Sequence, residues 1–151
     1  MSSVLDVQFA AEPASAARSR RVMTEWLNSL CGLTALCDVG QDLLLAVNEA
    51  ISNSVEHAYA GGTGTVRLRA RVRPSPTREP DPGPCSRLEA WVEITDHGTW
   101  REPPSDPGFR GRGLRMAEAS VDRLGIERSE SGTTVTLRRS LGCPAGDAVS
   151  V

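Results

Sequence analysis

The run Leu43-Leu-Leu-Ala-Val-Asn-Glu-Ala-Ile-Ser-Asn-Ser-Val-Glu-His-Ala-Tyr59 decides the reading of the chain. Leu43, Leu44, Val47, Ala50, Ile51, Val55 and Ala58 recur at three- and four-residue steps, which predicts an amphipathic helix with one buried stripe. Glu49, Asn53 and His57 form a second stripe at i, i+4 and i+8. A polar stripe is most often the wet face of a helix. Here apolar residues flank it closely, and Glu49 and Asn53 sit one turn apart. That pair offers what magnesium phosphate chemistry needs, a hard oxygen ligand beside a general base.

Outward from this helix the chain alternates in an orderly way. Upstream, Val4 to Phe9 reads as a short strand, and Pro13 opens a helix to about Leu30 whose inner face carries Val22, Trp26, Leu27 and Leu30. Downstream, Gly61-Gly-Thr-Gly64 ends the central helix and turns the chain into Thr65 to Arg73. There Val66, Leu68, Ala70 and Val72 alternate with four arginines. The next strand, Leu88 to Asp96, alternates Leu88, Ala90, Val92 and Ile94 with Glu89, Trp91, Glu93 and Thr95. If the two strands form a hairpin across the proline-rich loop Pro74 to Pro84, the glutamates face the arginines as cross-strand ion pairs. Then come Asp96-His-Gly-Thr-Trp100, a Pro- and Gly-rich segment from Arg101 to Arg110, and Gly111-Arg-Gly-Leu-Arg-Met116 opening a helix to about Ser120. Two strands near Arg123 to Arg128 and Thr133 to Arg139 close the pattern. The fold class expected is α/β, a two-layer sandwich in which a mixed, mainly antiparallel sheet is covered by helices on one face. Residues 1–141 read as one domain and 142–151 as a flexible tail.

Bulk properties narrow the function. The 151 residues suffice for one core, and a formal net charge of −2 gives no reason to expect nucleic acid or an anionic membrane as the main partner. No basic segment followed by an apolar run opens the chain and no stretch is long and apolar enough to span a bilayer, so the expected location is cytoplasmic. Cys31, Cys37, Cys85 and Cys143 show no Cys-x-x-Cys pairing and read as reduced thiols. Every basic side chain is arginine; there is no lysine. That excludes P-loop NTPases, kinases with a phosphate-pairing lysine, and Schiff-base enzymes. A nucleotide would have to be held by glycine turns, arginine and metal.

Two glycine-bearing segments suit such a site. Gly111 and Gly113 lie at a helix start, where unpaired backbone N–H groups and the positive end of the helix dipole favour phosphate, with Arg110, Arg112 and Arg115 adding charge. Asp96 ends an apolar strand and is followed two residues on by Gly98. Alone, the first reads equally as a flexible turn and the second as a loop cap.

In order, Glu-x-x-x-Asn on a helix, Asp-x-Gly after a strand, Gly-x-Gly-Leu after a loose segment and Gly132-Thr-Thr-Val-Thr-Leu137 on the last strand resemble the N, G1, G2 and G3 boxes of the GHKL (Bergerat-fold) ATPase superfamily. The wording of 48–59 resembles the anti-sigma factor serine/threonine-protein kinases of the SpoIIAB and RsbW type. The resemblance implies that Glu49 is the general base, that Asn53 ligates the Mg2+ bridging the phosphates of ATP, and that Asp96 accepts from the adenine amino group over Gly98. It makes 99–110 the lid, Gly111, Gly113 and Leu114 the phosphate turn with Arg112 a candidate contact, and Thr133 the completion of the adenine pocket. It implies an ATP- and Mg2+-dependent protein serine kinase acting as an anti-sigma factor, phosphorylating a STAS-domain anti-anti-sigma protein and binding a sigma factor. A homodimer is expected, without direct contact to nucleic acid or membrane. The second glycine usual in the G1 box is replaced by Trp100, which keeps a non-catalytic ATP-gated binding module as the alternative. His57 and His97 read as structural and loop residues.

Overall fold

The computed structural model describes residues 4–30, 38–58, 64–74, 88–98 and 111–141, with the backbone alone for 57–58 and 111–114. The element order is β1 (Leu5–Ala10), α1 (Ala14–Asn28), α2 (Asp38–Asn53) continued by a π-helical turn (Ser54–Ala58), β2 (Thr65–Pro74), β3 (Leu88–Asp96), α3 (Gly111–Ser120), β4 (Arg123–Ser129) and β5 (Gly132–Ser140). The five strands make one sheet in the order β1-β2-β3-β5-β4. The expected α/β fold with a mainly antiparallel sheet is found, and every described pairing is antiparallel. The β4–β5 hairpin folds back so that β5 lies between β4 and β3, and β3 becomes the central strand.

Strand alternation sorts the sheet into two faces. Val66, Leu68 and Ala70 on β2, Ala90, Val92 and Ile94 on β3, and Val135 and Leu137 on β5 are buried against the helices. Phe9 joins them from β1, directly opposite Val66. From α1 come Met23, Trp26 and Leu27, and from α2 Leu43, Val47, Ala50 and Ile51. Each large aliphatic side chain buried this way contributes roughly 1.5–3 kcal/mol relative to exposure. The stripe expected on α2 is thus the core stripe, with Leu44 and Val55 half-buried at its margins.

The start of α1 is anchored from the side. Pro13 fixes a helical φ of −56° but supplies no side-chain cap, and the buried Ser15 hydroxyl instead donates to the Ala10 carbonyl at the end of β1. At the other end of the sheet, Arg139 of β5 donates to Asp42 of α2 at 3.1 Å and to Asp122 at 3.4 Å, tying helix to sheet.

The hairpin register sets Arg69 opposite Glu93 and Arg73 opposite Glu89, as the alternation allowed. The ion pairs differ from that expectation. Glu89, only 5% exposed, is held by Arg138 of β5 at 3.1 Å, and Arg67 makes a two-pronged contact with Asp6 of β1 at 2.6 and 2.8 Å. The strands that flank the hairpin supply the counter-charges.

Candidate nucleotide site

One end of the candidate site sits where β3 leaves the sheet. Asp96 has the same parity as Ala90, Val92 and Ile94, so its side chain continues the buried face, and it is 1% exposed. Its Oδ1 accepts the Gly98 N–H at 3.2 Å, an Asx-type turn that folds the chain away from the strand. Thr133 of β5 lies directly opposite Asp96 and is 3% exposed. Asp96, Gly98 and Thr133 are therefore brought together at the end of β3.

Gly132 belongs with them, although no site role was assigned to it from sequence. Its φ is +141°, and a Cβ built there would lie 1.9 Å from the Asp96 carbonyl oxygen and 2.8 Å from the His97 Cα. Only glycine lets β5 begin this close to the aspartate's own peptide. The legible signal was a glycine ending a Ser-Glu-Ser turn just before an alternating strand. His97 Nδ1 lies 3.4 Å from the Ser131 carbonyl oxygen, a second link between the end of β3 and the β4–β5 turn. At this end of the sheet a cavity of about 450 Å³ is lined in part by Asp96, His97, Arg128, Ser131, Gly132 and Thr133.

The other end lies on α2. Glu49 is half-buried and Asn53 is 7% exposed, one turn further along the same face. The Asn53 Nδ2 is buried without a hydrogen-bond partner among the described residues, and so is the Oγ of Ser54 beside it. Whichever way the amide is oriented, a buried polar group there lacks a partner, a state that costs about 1–3 kcal/mol. The α-helix gives way to the π-helical turn at the next residue, where the expected helix continued regularly toward Tyr59. π-Turns inserted in α-helices recur at functional sites because the extra residue re-aims the side chains around it. Ser54 was not singled out from sequence; nothing in its spacing marks it.

α3 packs against α2 and begins at Gly111 itself, so Gly111, Arg112, Gly113 and Leu114 form its first turn. The N–H groups of that turn have no acceptor within the helix and sit at its positive end. Trp100 and the lid segment 99–110 lie outside the described residues, as do the four cysteines and the tail 142–151.

This donor set fits a magnesium-bound adenine nucleotide. A buried carboxylate beside a glycine turn can accept from an exocyclic amine, a buried neutral amide with unmet polar capacity can join a metal's oxygen shell, and a helix start can receive phosphate. Among the described residues no helix is long and apolar enough to cross a membrane.

Comparison with known proteins agrees with the geometry. The model of the histidine kinase-like ATPase domain matches residues 9–139. A crystal structure of the RsbU and RsbW domains of Rv1364c from Mycobacterium tuberculosis is similar at 25% identity and a TM-score of 0.65. That likeness covers 94% of this chain and 33% of the other, so the chain spans about a third of that structure's length. The blue-light activated histidine kinase EL346 of Erythrobacter litoralis is similar over 83% of this chain and 41% of its own, at 21% identity and a TM-score of 0.48. With the family model running from the end of β1 through β5 and including both ends of the site, the chain belongs to the histidine kinase-like ATPase domain family, in the GHKL superfamily, and its implied nucleotide is ATP.

Proposed function

We propose that this protein is an ATP- and Mg2+-dependent protein serine kinase acting as an anti-sigma regulatory factor, which phosphorylates a STAS-domain anti-anti-sigma partner and binds a sigma factor, as a homodimer. The observation that carries this reading is the pair on α2: a half-buried carboxylate, Glu49, one turn from a buried amide, Asn53, whose polar capacity is unmet among the described residues. The similarity to a structure that includes an RsbW domain supports the regulatory class.

In this reading Asn53 would help hold the magnesium ion without adding a negative charge that would repel phosphate. ATP with magnesium supplies a transferable γ-phosphoryl group whose charge is partly neutralised by the metal. Glu49 would accept the proton of the partner's serine hydroxyl as that oxygen attacks the γ-phosphorus and the bond from the γ-phosphorus to the bridging oxygen breaks, with ADP as the leaving group. Asp96 accepts from the adenine amino group and rejects guanine, which presents a carbonyl oxygen there. The first turn of α3 receives the phosphates through its backbone N–H groups.

Trp100 in place of the second G1-box glycine favours one competing reading, an ATP-gated module that holds its partner without phosphorylating it. Incubation with γ-labelled ATP, magnesium and a panel of STAS-domain proteins separates the two. Label on a partner serine, absent with Glu49→Ala, is the result expected of the kinase. ATP-dependent complex formation with no label on any partner favours the binding module.

A further inference from the structure

The face of the sheet that carries no helix has a charge pattern that the nucleotide site does not use. The registers of β2, β3, β5 and β4 place Arg71, Trp91, Arg138 and Arg123 in one row across four strands. Neighbouring strands lie about 4.8 Å apart, so the row spans about 14 Å. The guanidinium carbons of Arg73, Arg138 and Arg71 lie 4.5, 4.7 and 5.5 Å from the centre of the Trp91 ring. The row contains no carboxylate. Glu89, in the adjoining row, is almost fully buried and is held by Arg138.

Two features of this row are unfavourable in the isolated chain. Arg123 and Arg138 are directly opposed across β4 and β5, and like charges so placed repel, an effect that the Glu89 carboxylate on Arg138 reduces without supplying a counter-charge to Arg123. The Trp91 Nε1–H is buried beneath the guanidiniums with no acceptor among the described residues. A ligand that brings negative charge to the row relieves the repulsion, while the indole N–H lies below its reach. Against a net charge of −2 for the whole chain, a local excess of arginine also steers such a partner to this face.

We propose that the row Arg71–Trp91–Arg138–Arg123 is a docking surface for a short acidic segment of a partner protein, whose carboxylates pair with the guanidiniums over the indole. A second copy of the chain meeting face to face would set arginine row against arginine row. A nucleic acid strand needs a longer basic track, and two of the three β2 arginines beyond the row are matched by carboxylates of their own: Arg67 is paired with Asp6, and Arg69 lies opposite Glu93. The row suits two or three carboxylates. It lies on the face opposite the helices that carry Glu49 and Asn53, so the proposal stands independently of the kinase reading.

The test uses the full chain without nucleotide, titrated by calorimetry with a synthetic glutamate-rich peptide, its glutamine counterpart, and a single-stranded oligonucleotide. The expected result is salt-dependent binding of the glutamate peptide alone, about tenfold or more weaker in Arg71→Gln/Arg123→Gln and unchanged in the control Arg20→Gln/Arg21→Gln. Binding should also change the indole fluorescence, and Trp91→Phe should remove that change while leaving Trp26 and Trp100 in place. Equal binding of the glutamine peptide overturns the proposal, as does equal loss in the two double variants. Oligonucleotide binding that exceeds peptide binding and depends on Arg71 and Arg123 overturns it in favour of a nucleic-acid surface.

Discussion

At the end of β3, Asp96 is 1% exposed, holds the Gly98 N–H at 3.2 Å and is boxed in by Gly132; on α2, Asn53 is nearly as buried, yet its amide Nδ2 has no partner among the described residues. The first end is positioned by backbone, through strand pairing and a glycine contact that leaves no slack. The second holds unmet polarity at the junction of an α-helix with a π-turn. In the proposed function this difference separates two tasks. Reading the base needs a fixed acceptor, which the sheet supplies in advance. Holding a metal and phosphates needs groups whose partners arrive with the ligand, and the apo protein bears the cost of keeping them buried.

Substitutions at each end test this contrast. The largest effect is expected from Glu49→Ala, which should lower phosphoryl transfer by about 10²- to 10⁴-fold, the usual worth of a positioned base, while nucleotide affinity stays near that of the parent. Single-turnover transfer alongside calorimetry measures the two separately; an equal fall in affinity would make Glu49 a binding residue.

Gly132→Ala attacks the rigid end. The new Cβ would start 1.9 Å from the Asp96 carbonyl oxygen in a backbone conformation that alanine avoids, so stability should fall by about 1–3 kcal/mol in urea unfolding. ATP affinity should fall with it. Unchanged affinity in the folded variant would show that the position of Asp96 does not matter to the base.

Asn53→Leu makes the opposite prediction for stability. Removing a buried polar group without a partner should leave the apo protein as stable as before or raise it by up to about 1 kcal/mol in thermal unfolding, while the magnesium dependence of nucleotide binding disappears. A large loss of stability would mean that the amide is already satisfied.

The smallest effect belongs to the far edge of the sheet. The hydrogen bond from Arg67, with the charges of Arg67 and Arg69, holds the Asp6 carboxyl below its ordinary value of 3.8. A carboxyl lowered in the folded state stabilises above its unfolded value and loses that contribution as pH falls through the folded one. The thermal stability of Asp6→Asn should therefore trail the parent slightly above about pH 4 and converge with it at lower pH. Because both side chains are about two-fifths exposed, moderate salt should also erase the gap.

Much of this was legible in the residues. The three- and four-residue recurrence along 43–58 gave the core stripe of α2, and with it the face that carries Glu49 and Asn53. The alternation of Leu88, Ala90, Val92 and Ile94 fixed which face of β3 is buried, and Asp96 follows in phase. The π-turn was not legible, because a helix that widens by one residue keeps its composition. Nor was the Arg138–Glu89 pair, since nothing in the local pattern shows that β5 comes to lie beside β3. Gly132 was visible as a turn residue, but its pressure on Asp96 arises from that same non-local pairing. Contacts set by periodicity within one element were readable, while those set by strand order were not.

The most direct test of the central claim is calorimetric titration of the parent and of Asp96→Asn with ATP and GTP, with and without magnesium. The account predicts magnesium-dependent binding of ATP, weak or no binding of GTP, and a loss of that preference by about tenfold or more in the variant. Equal affinities for ATP and GTP in the parent, or no nucleotide binding at all, would contradict it.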